Sequence, residues 1–148
     1  MKRKDLIFVC IFSLLLAPIL IAGDYKKGIP VETAMKVFCG TWYNDSHIGT
    51  QKDIYNANGT YEWYHDKSGT KPDWTGTFKI EKAWEDREGN ILFTVWRSYK
   101  GNSWALIKIS NSGTVLEMNR YFKVDNPPSK IDPDDPQSYF RLTKKKIE

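Results

Sequence analysis

The sequence predicts an all-β fold, an eight-stranded antiparallel up-and-down barrel with a short N-terminal helix. Three observations carry this expectation. After residue 37 the helical spacing of apolar residues stops, and short runs of β-branched and aromatic residues take over, bounded by turn residues. Most linkers between these runs are a few residues long and rich in Asn and Gly, which suits hairpins and not crossovers. Six Trp, eight Tyr and seven Phe in 148 residues supply large rings for one enclosed interior.

The helix is expected over Ile29 to Val37. Pro30 suits a first turn, Glu32 lies near the positive end of the helix dipole, and Val31, Ala34, Met35 and Phe38 recur at helical spacing. Eight strand-like runs follow: Phe38 to Asn44, Thr50 to Asn56, Thr60 to His65, Trp74 to Trp84, Ile91 to Tyr99, Ser103 to Ser110, Thr114 to Phe122 and Ser138 to Lys144. Asn58-Gly59 offers the residues that a two-residue turn with positive φ prefers, and 88–90, 100–102 and 111–113 are short enough to join antiparallel neighbours.

Alternation is clearest in the fourth run. Trp74, Gly76, Phe78 and Ile80 face one way, and Thr75, Thr77, Lys79 and Glu81 the other. The fifth and sixth runs are apolar on both faces, which a bulge or a covering helix would explain equally well. Asp125 to Gln137 holds Pro127, Pro128, Pro133 and Pro136 and reads as a stiffened surface loop. Closing eight short strands into a barrel removes the exposed edges that invite aggregation. Its interior would be just wide enough for side chains or one small ligand.

The N-terminus has the pattern of an export signal. Lys2, Arg3 and Lys4 precede a run from Leu6 to Ala22 that only Cys10, Ser13 and Pro18 interrupt, so residues 1–23 are expected to be a signal peptide and 24–148 one barrel domain, secreted or periplasmic. Membrane contact is expected only through that segment if it is retained. Removing Lys2, Arg3, Lys4 and Asp5 takes 22 basic residues to 19 and 18 acidic to 17, a net charge of +2. No nucleic-acid partner is expected at that charge. Cys39 is then the single cysteine, read as a small packed hydrophobe.

No constellation for chemistry emerges, and the chain is not expected to be an enzyme. His47 and His65 are the only histidines, too few and wrongly spaced for a metal site. Asp132, Asp134 and Asp135 lie between prolines without calcium-loop spacing. The carboxylates Glu62, Glu81, Glu85 and Glu117 are scattered over different runs. Neither a metal nor a cofactor is expected. Several runs are shorter than the roughly 9–11 residues of a membrane-spanning strand.

The short helix leading into Gly40-Thr41-Trp42, the Asn58-Gly59-Thr60-Tyr61 hairpin and Tyr139-Phe140-Arg141 on the last run together resemble the bacterial lipocalin-like, calycin-type secreted proteins. The resemblance spans 24–148. It implies that Trp42 closes the barrel floor behind Gly40, with Arg141 lying across its ring at about 1–2 kcal/mol. The first functional expectation is a lipocalin-like binder that holds a small apolar or amphipathic molecule in a continuous cavity lined by Trp63, Trp74, Phe78, Phe93, Trp104 and Met118, and a monomer is expected. The alternative is a solid barrel that binds an envelope partner or inhibits an enzyme through an exposed patch of Tyr43, Tyr55, Tyr64 and Trp84.

Overall fold

The computed structural model describes residues 26–44, 51–98 and 101–144. The expected signal segment, Cys10 and His47 lie outside the described residues. Helix α1 (Val31–Phe38) leads into β2 (Gly40–Asn44), followed by β3 (Gln51–Tyr55), β4 (Thr60–Tyr64), β5 (Trp74–Glu85), β6 (Ile91–Arg97), β7 (Ser103–Ile109), β8 (Val115–Phe122) and β9 (Tyr139–Lys144). Each strand pairs antiparallel with the next, and β9 returns to β2 through Trp42 opposite Lys144 and Tyr43 opposite Thr143. The barrel of eight strands is therefore closed. A two-residue strand, β1 (Lys27–Gly28), adds to β5 outside it.

One end of the barrel carries α1 and the tight hairpins. Its loops from Asn56 to Thr60 and from Asp86 to Asn90 are alike: each encloses three residues, the last a glycine with positive φ, Gly59 at 82° and Gly89 at 78°. The expected two-residue turn at Asn58-Gly59 is thus a three-residue one, in which only the glycine needs the left-handed region. Asn58 instead caps the loop by accepting from the Thr60 backbone N–H at 3.1 Å.

Near this floor the interior is solid. Phe38 of α1 packs against Tyr55, Phe78 and Phe93 with ring centroids 4.1, 5.5 and 5.0 Å away, and Ile107, Leu116, Met118 and Leu142 complete the core. The helix thus plugs the barrel, and its apolar face exists to fill it. The carbonyls at its C-terminal turn find partners in the barrel wall: the Trp42 indole donates to Phe38 O at 2.7 Å and Lys144 Nζ to Val37 O at 3.0 Å.

The cation above Trp42 is consequently Lys144, 5.0 Å from the ring centroid, and not the expected Arg141. The reason is strand parity. Leu142 is buried inside, which sends Arg141 outward to an exposed position opposite Glu117. Gly40, at φ 130°, lets the Lys144 stem pass: a Cβ there would sit 3.1 Å from Lys144 Cε. Lys144→Ala is expected to lower stability by about 1–2 kcal/mol through the lost cation–ring contact and helix-end charge, while Arg141→Ala stays within about 0.5 kcal/mol; urea unfolding of both variants checks this.

The two-faced strands β6 and β7 carry no bulge of their own and pair in unbroken register, and α1 fills the interior, so neither expected explanation applies. The irregularity lies in β5, between Ile80 and Lys82, and returns Ala83 to the interior opposite Phe93. On the outer face Thr94, Leu106 and Asn119 form a cross-strand row that is nonetheless buried. Asn119 donates to Ser138 Oγ and the Asp132 carbonyl and accepts from the Asp132 backbone N–H, tying the proline-rich segment over that row. The prolines stiffen a cover that has no ladder of its own.

Candidate functional site

At the end opposite α1 the interior changes from apolar to charged. Asp53 on β3, Tyr61 and Trp63 on β4, Arg97 on β6 and Arg120 on β8 line a cavity of about 40 Å³, room for about three water molecules or a small polar headgroup. Inward parity brings them together, since each continues the face that carries core residues lower on its strand: Tyr55 below Asp53, Phe93 and Val95 below Arg97, Leu116 and Met118 below Arg120.

Arg97 is the centre of this arrangement and is 2% exposed. It donates to Tyr55 Oη at 3.0 Å and to Ser103 Oγ at 3.5 Å, and its guanidinium carbon lies 5.8 Å from the Tyr61 ring centroid. Its Nε is buried with no hydrogen-bond partner among the described residues. Burial works against the Arg97 charge, but neighbouring Tyr55, Asp53 and Tyr61 more than offset it and hold the guanidinium protonated. Burial likewise pushes the Tyr55 hydroxyl up to about 12, opposed by Arg97.

Asp53, 1% exposed, accepts from Gln51 Nε2 at 3.0 Å. Burial pushes its carboxyl above the ordinary range despite the Gln51 hydrogen bond and the charges of Arg97 and Arg120. Arg120 projects between two rings, with its guanidinium carbon 4.3 Å from the Phe140 centroid and 5.0 Å from that of Phe122. Two cations and one carboxyl therefore line the same small cavity.

The rim above is aromatic. Trp74, 38% exposed, pairs with Trp63 across the β4–β5 ladder and donates from Nε1 to Tyr61 Oη at 3.1 Å. Gly76 makes that approach feasible, because a Cβ would sit 2.9 Å from the Tyr61 ring and 2.6 Å from Ser98 Oγ. Gly76→Ala is expected to cost about 1–3 kcal/mol by overpacking and to shift the Trp74 indole N–H resonance as its bond to Tyr61 loosens. A variant that melts like the parent with an unmoved Trp74 signal would refute that packing.

Among the described residues, the six expected to line one continuous cavity are divided among three environments. Phe78, Phe93 and Met118 belong to the buried hydrophobic core, the two rings packed against Phe38. Trp63 lines the small cavity and Trp74 stands on its rim. Trp104 alternates with the inward Ser103 and Ala105 and so faces outward, between Trp96 and Tyr121 on the neighbouring strands. The alternative surface patch is also not formed as expected: Tyr55 is in the core, and Tyr64 is buried outside the barrel beneath Lys52, which is 3.9 Å from its centroid and donates to the Gly69 carbonyl at 2.8 Å.

Asp53, Arg97 and Arg120 are the residues that sequence reasoning missed. The available signal was charge at inward positions: in β6 and β8, Arg97 and Arg120 fall in phase with Phe93, Val95 and Leu116, Met118. Among the described residues no group of three or more His, Cys, Asp or Glu is placed to hold a metal ion, and no helix is long and apolar enough to cross a membrane. Cys39 is half-buried, and burial pushes its thiol up, away from nucleophilic character. No protein-family model, no curated protein and no solved structure matches the chain.

Proposed function

We propose that the protein is an exported, lipocalin-like binding protein for a small amphiphile whose polar head enters the charged pocket at the barrel mouth. One observation carries the reading: at the open end of an otherwise packed apolar barrel lies a buried guanidinium, Arg97, with an Nε that no group among the described residues satisfies. A buried donor without a partner costs about 1–3 kcal/mol, and a ligand oxygen arriving there recovers it. The solid floor leaves no room for a long apolar tail inside. The apolar part of the ligand therefore lies across Trp63 and Trp74 at the rim, where half-exposed rings offer contact area.

Native mass spectrometry of the protein purified without detergent from the cells that make it tests this reading. The expected result is one small-molecule adduct per chain, an amphiphile, lost when Trp63 and Arg120 are both replaced by alanine. A bare chain that also takes up neither octanesulfonate nor 1-octanol in calorimetry would contradict it.

A further inference from the structure

We infer that the mouth pocket selects an oxyanion headgroup, which lies between Arg97 and Arg120, and that uptake of the anion is coupled to protonation of Asp53. This inference rests on the binding reading above and names its ligand class. The geometry is that of an anion site with a built-in competitor. Arg97 and Arg120 reach the same small cavity from β6 and β8, and Asp53 reaches it from β3. With Asp53 ionised, the residues lining the cavity carry two positive charges and one negative; with Asp53 neutral, that lining carries two positive charges only. A carboxylate, sulfate or phosphate ester brings a negative charge and acceptor oxygens, and guanidinium groups suit such oxygens geometrically. A neutral alcohol brings neither advantage.

The coupling follows from distance and burial. An anion in a cavity of about 40 Å³ is a near neighbour of the Asp53 carboxylate, and like charges so close in a water-poor site oppose joint ionisation. A proton from solvent on Asp53 relieves the conflict, so the anion and the proton bind together. The other groups facing Asp53 do not substitute for it. From its own strand come Gln51 and Tyr55, from β2 Trp42 and Asn44, from β4 Tyr61 and Trp63, from β6 Arg97 and from β8 Arg120. Burial raises both tyrosines, Tyr55 to about 12, leaving Asp53 as the acid lining the cavity. Among the described residues His65, just beyond β4, has its ring 5.9 Å from that of Trp63 and serves as a control.

Calorimetric titration of the full chain with octanesulfonate, which stays ionised throughout, against 1-octanol tests both parts. The sulfonate is expected to bind at least tenfold more tightly than the alcohol. Its affinity should rise as pH falls from about 8 toward 4.5, by at most about tenfold per pH unit for one linked proton. Asp53→Asn should tighten sulfonate binding at pH 8 and abolish the pH dependence, whereas His65→Gln leaves it intact. Arg120→Gln weakens the sulfonate and spares the alcohol, and melting curves confirm that each variant is folded. Displacement of octanesulfonate by methanesulfonate identifies a free small anion as sufficient, and failure to displace it identifies an amphiphile's headgroup; both support the site. Equal affinity for sulfonate and alcohol, or pH dependence that survives Asp53→Asn, overturns the inference while leaving the binding reading in place. Binding of neither compound removes both.

Discussion

Trp42→Ala is expected to destabilise the fold by about 3–5 kcal/mol, the range for deleting a large buried ring. Trp42 is fully buried, and its side chain joins three structures at once. It packs in the core, it donates to the carbonyl of the last residue of α1, and it lies beneath Lys144 of the closing strand. Alanine there leaves a cavity, orphans a buried carbonyl and strips the Lys144 ammonium of its ring. Trp42→Phe separates these contributions, since it retains most of the apolar volume but loses the hydrogen bond, at about 1–3 kcal/mol. Chemical unfolding with linear extrapolation measures both. A cost for alanine no larger than a surface substitution, about 0.5 kcal/mol, would mean that the helix does not close the barrel through Trp42.

Arg97→Ala is expected to cost a similar amount, about 3–5 kcal/mol, for an electrostatic reason. It removes the donor to Tyr55 Oη and one of the two cations beside the buried Asp53. An apolar replacement for the whole network is much less damaging than a broken one. Arg97→Met combined with Asp53→Asn should therefore be more stable than the sum of the single changes predicts, with a coupling of about 0.5–3 kcal/mol in a double-mutant cycle. Strict additivity would show that Asp53 and Arg97 do not interact.

The pH dependence of stability has a defined sign. Burial raises the folded-state pKa of Asp53 above its unfolded value, so the folded chain holds that proton more tightly. The stability this contributes is present at low pH and is lost as pH rises through the folded pKa. The gain from Asp53→Asn should accordingly grow with pH above the ordinary carboxylate range.

The barrel itself is legible in the sequence because strand alternation and turn chemistry are local signals. Trp74 to Ile80 alternates as the β5 ladder does, and the glycines at 59 and 89 mark the hairpins that close the floor. The burial of Trp42 beside the end of α1 is where the sequence places an inward ring, but its cation is not legible: whether Arg141 or Lys144 reaches the ring depends on strand parity and register across the barrel seam, which no local pattern fixes. Trp104 illustrates the same limit. An aromatic residue in a run that is apolar on both sides has no readable face, and here the outward side of that run is covered by the proline-rich segment through Asn119. The charged mouth was hidden because its members come from β3, β6 and β8, far apart in sequence, and because charged residues near strand ends read by default as solvated.

The six tryptophans divide the molecule into regions, so one measurement locates the ligand: a heteronuclear NMR titration with octanesulfonate that follows the six indole N–H signals. Trp63 and Trp74 stand at the mouth, Trp42 and Trp84 on strand segments near α1, and Trp96 and Trp104 on the outer face. Saturable shifts of Trp63 and Trp74 well beyond those of the other four are expected. Larger shifts at Trp96 and Trp104, with Trp63 and Trp74 unmoved, would place binding on the barrel's outer surface and contradict a site at the mouth.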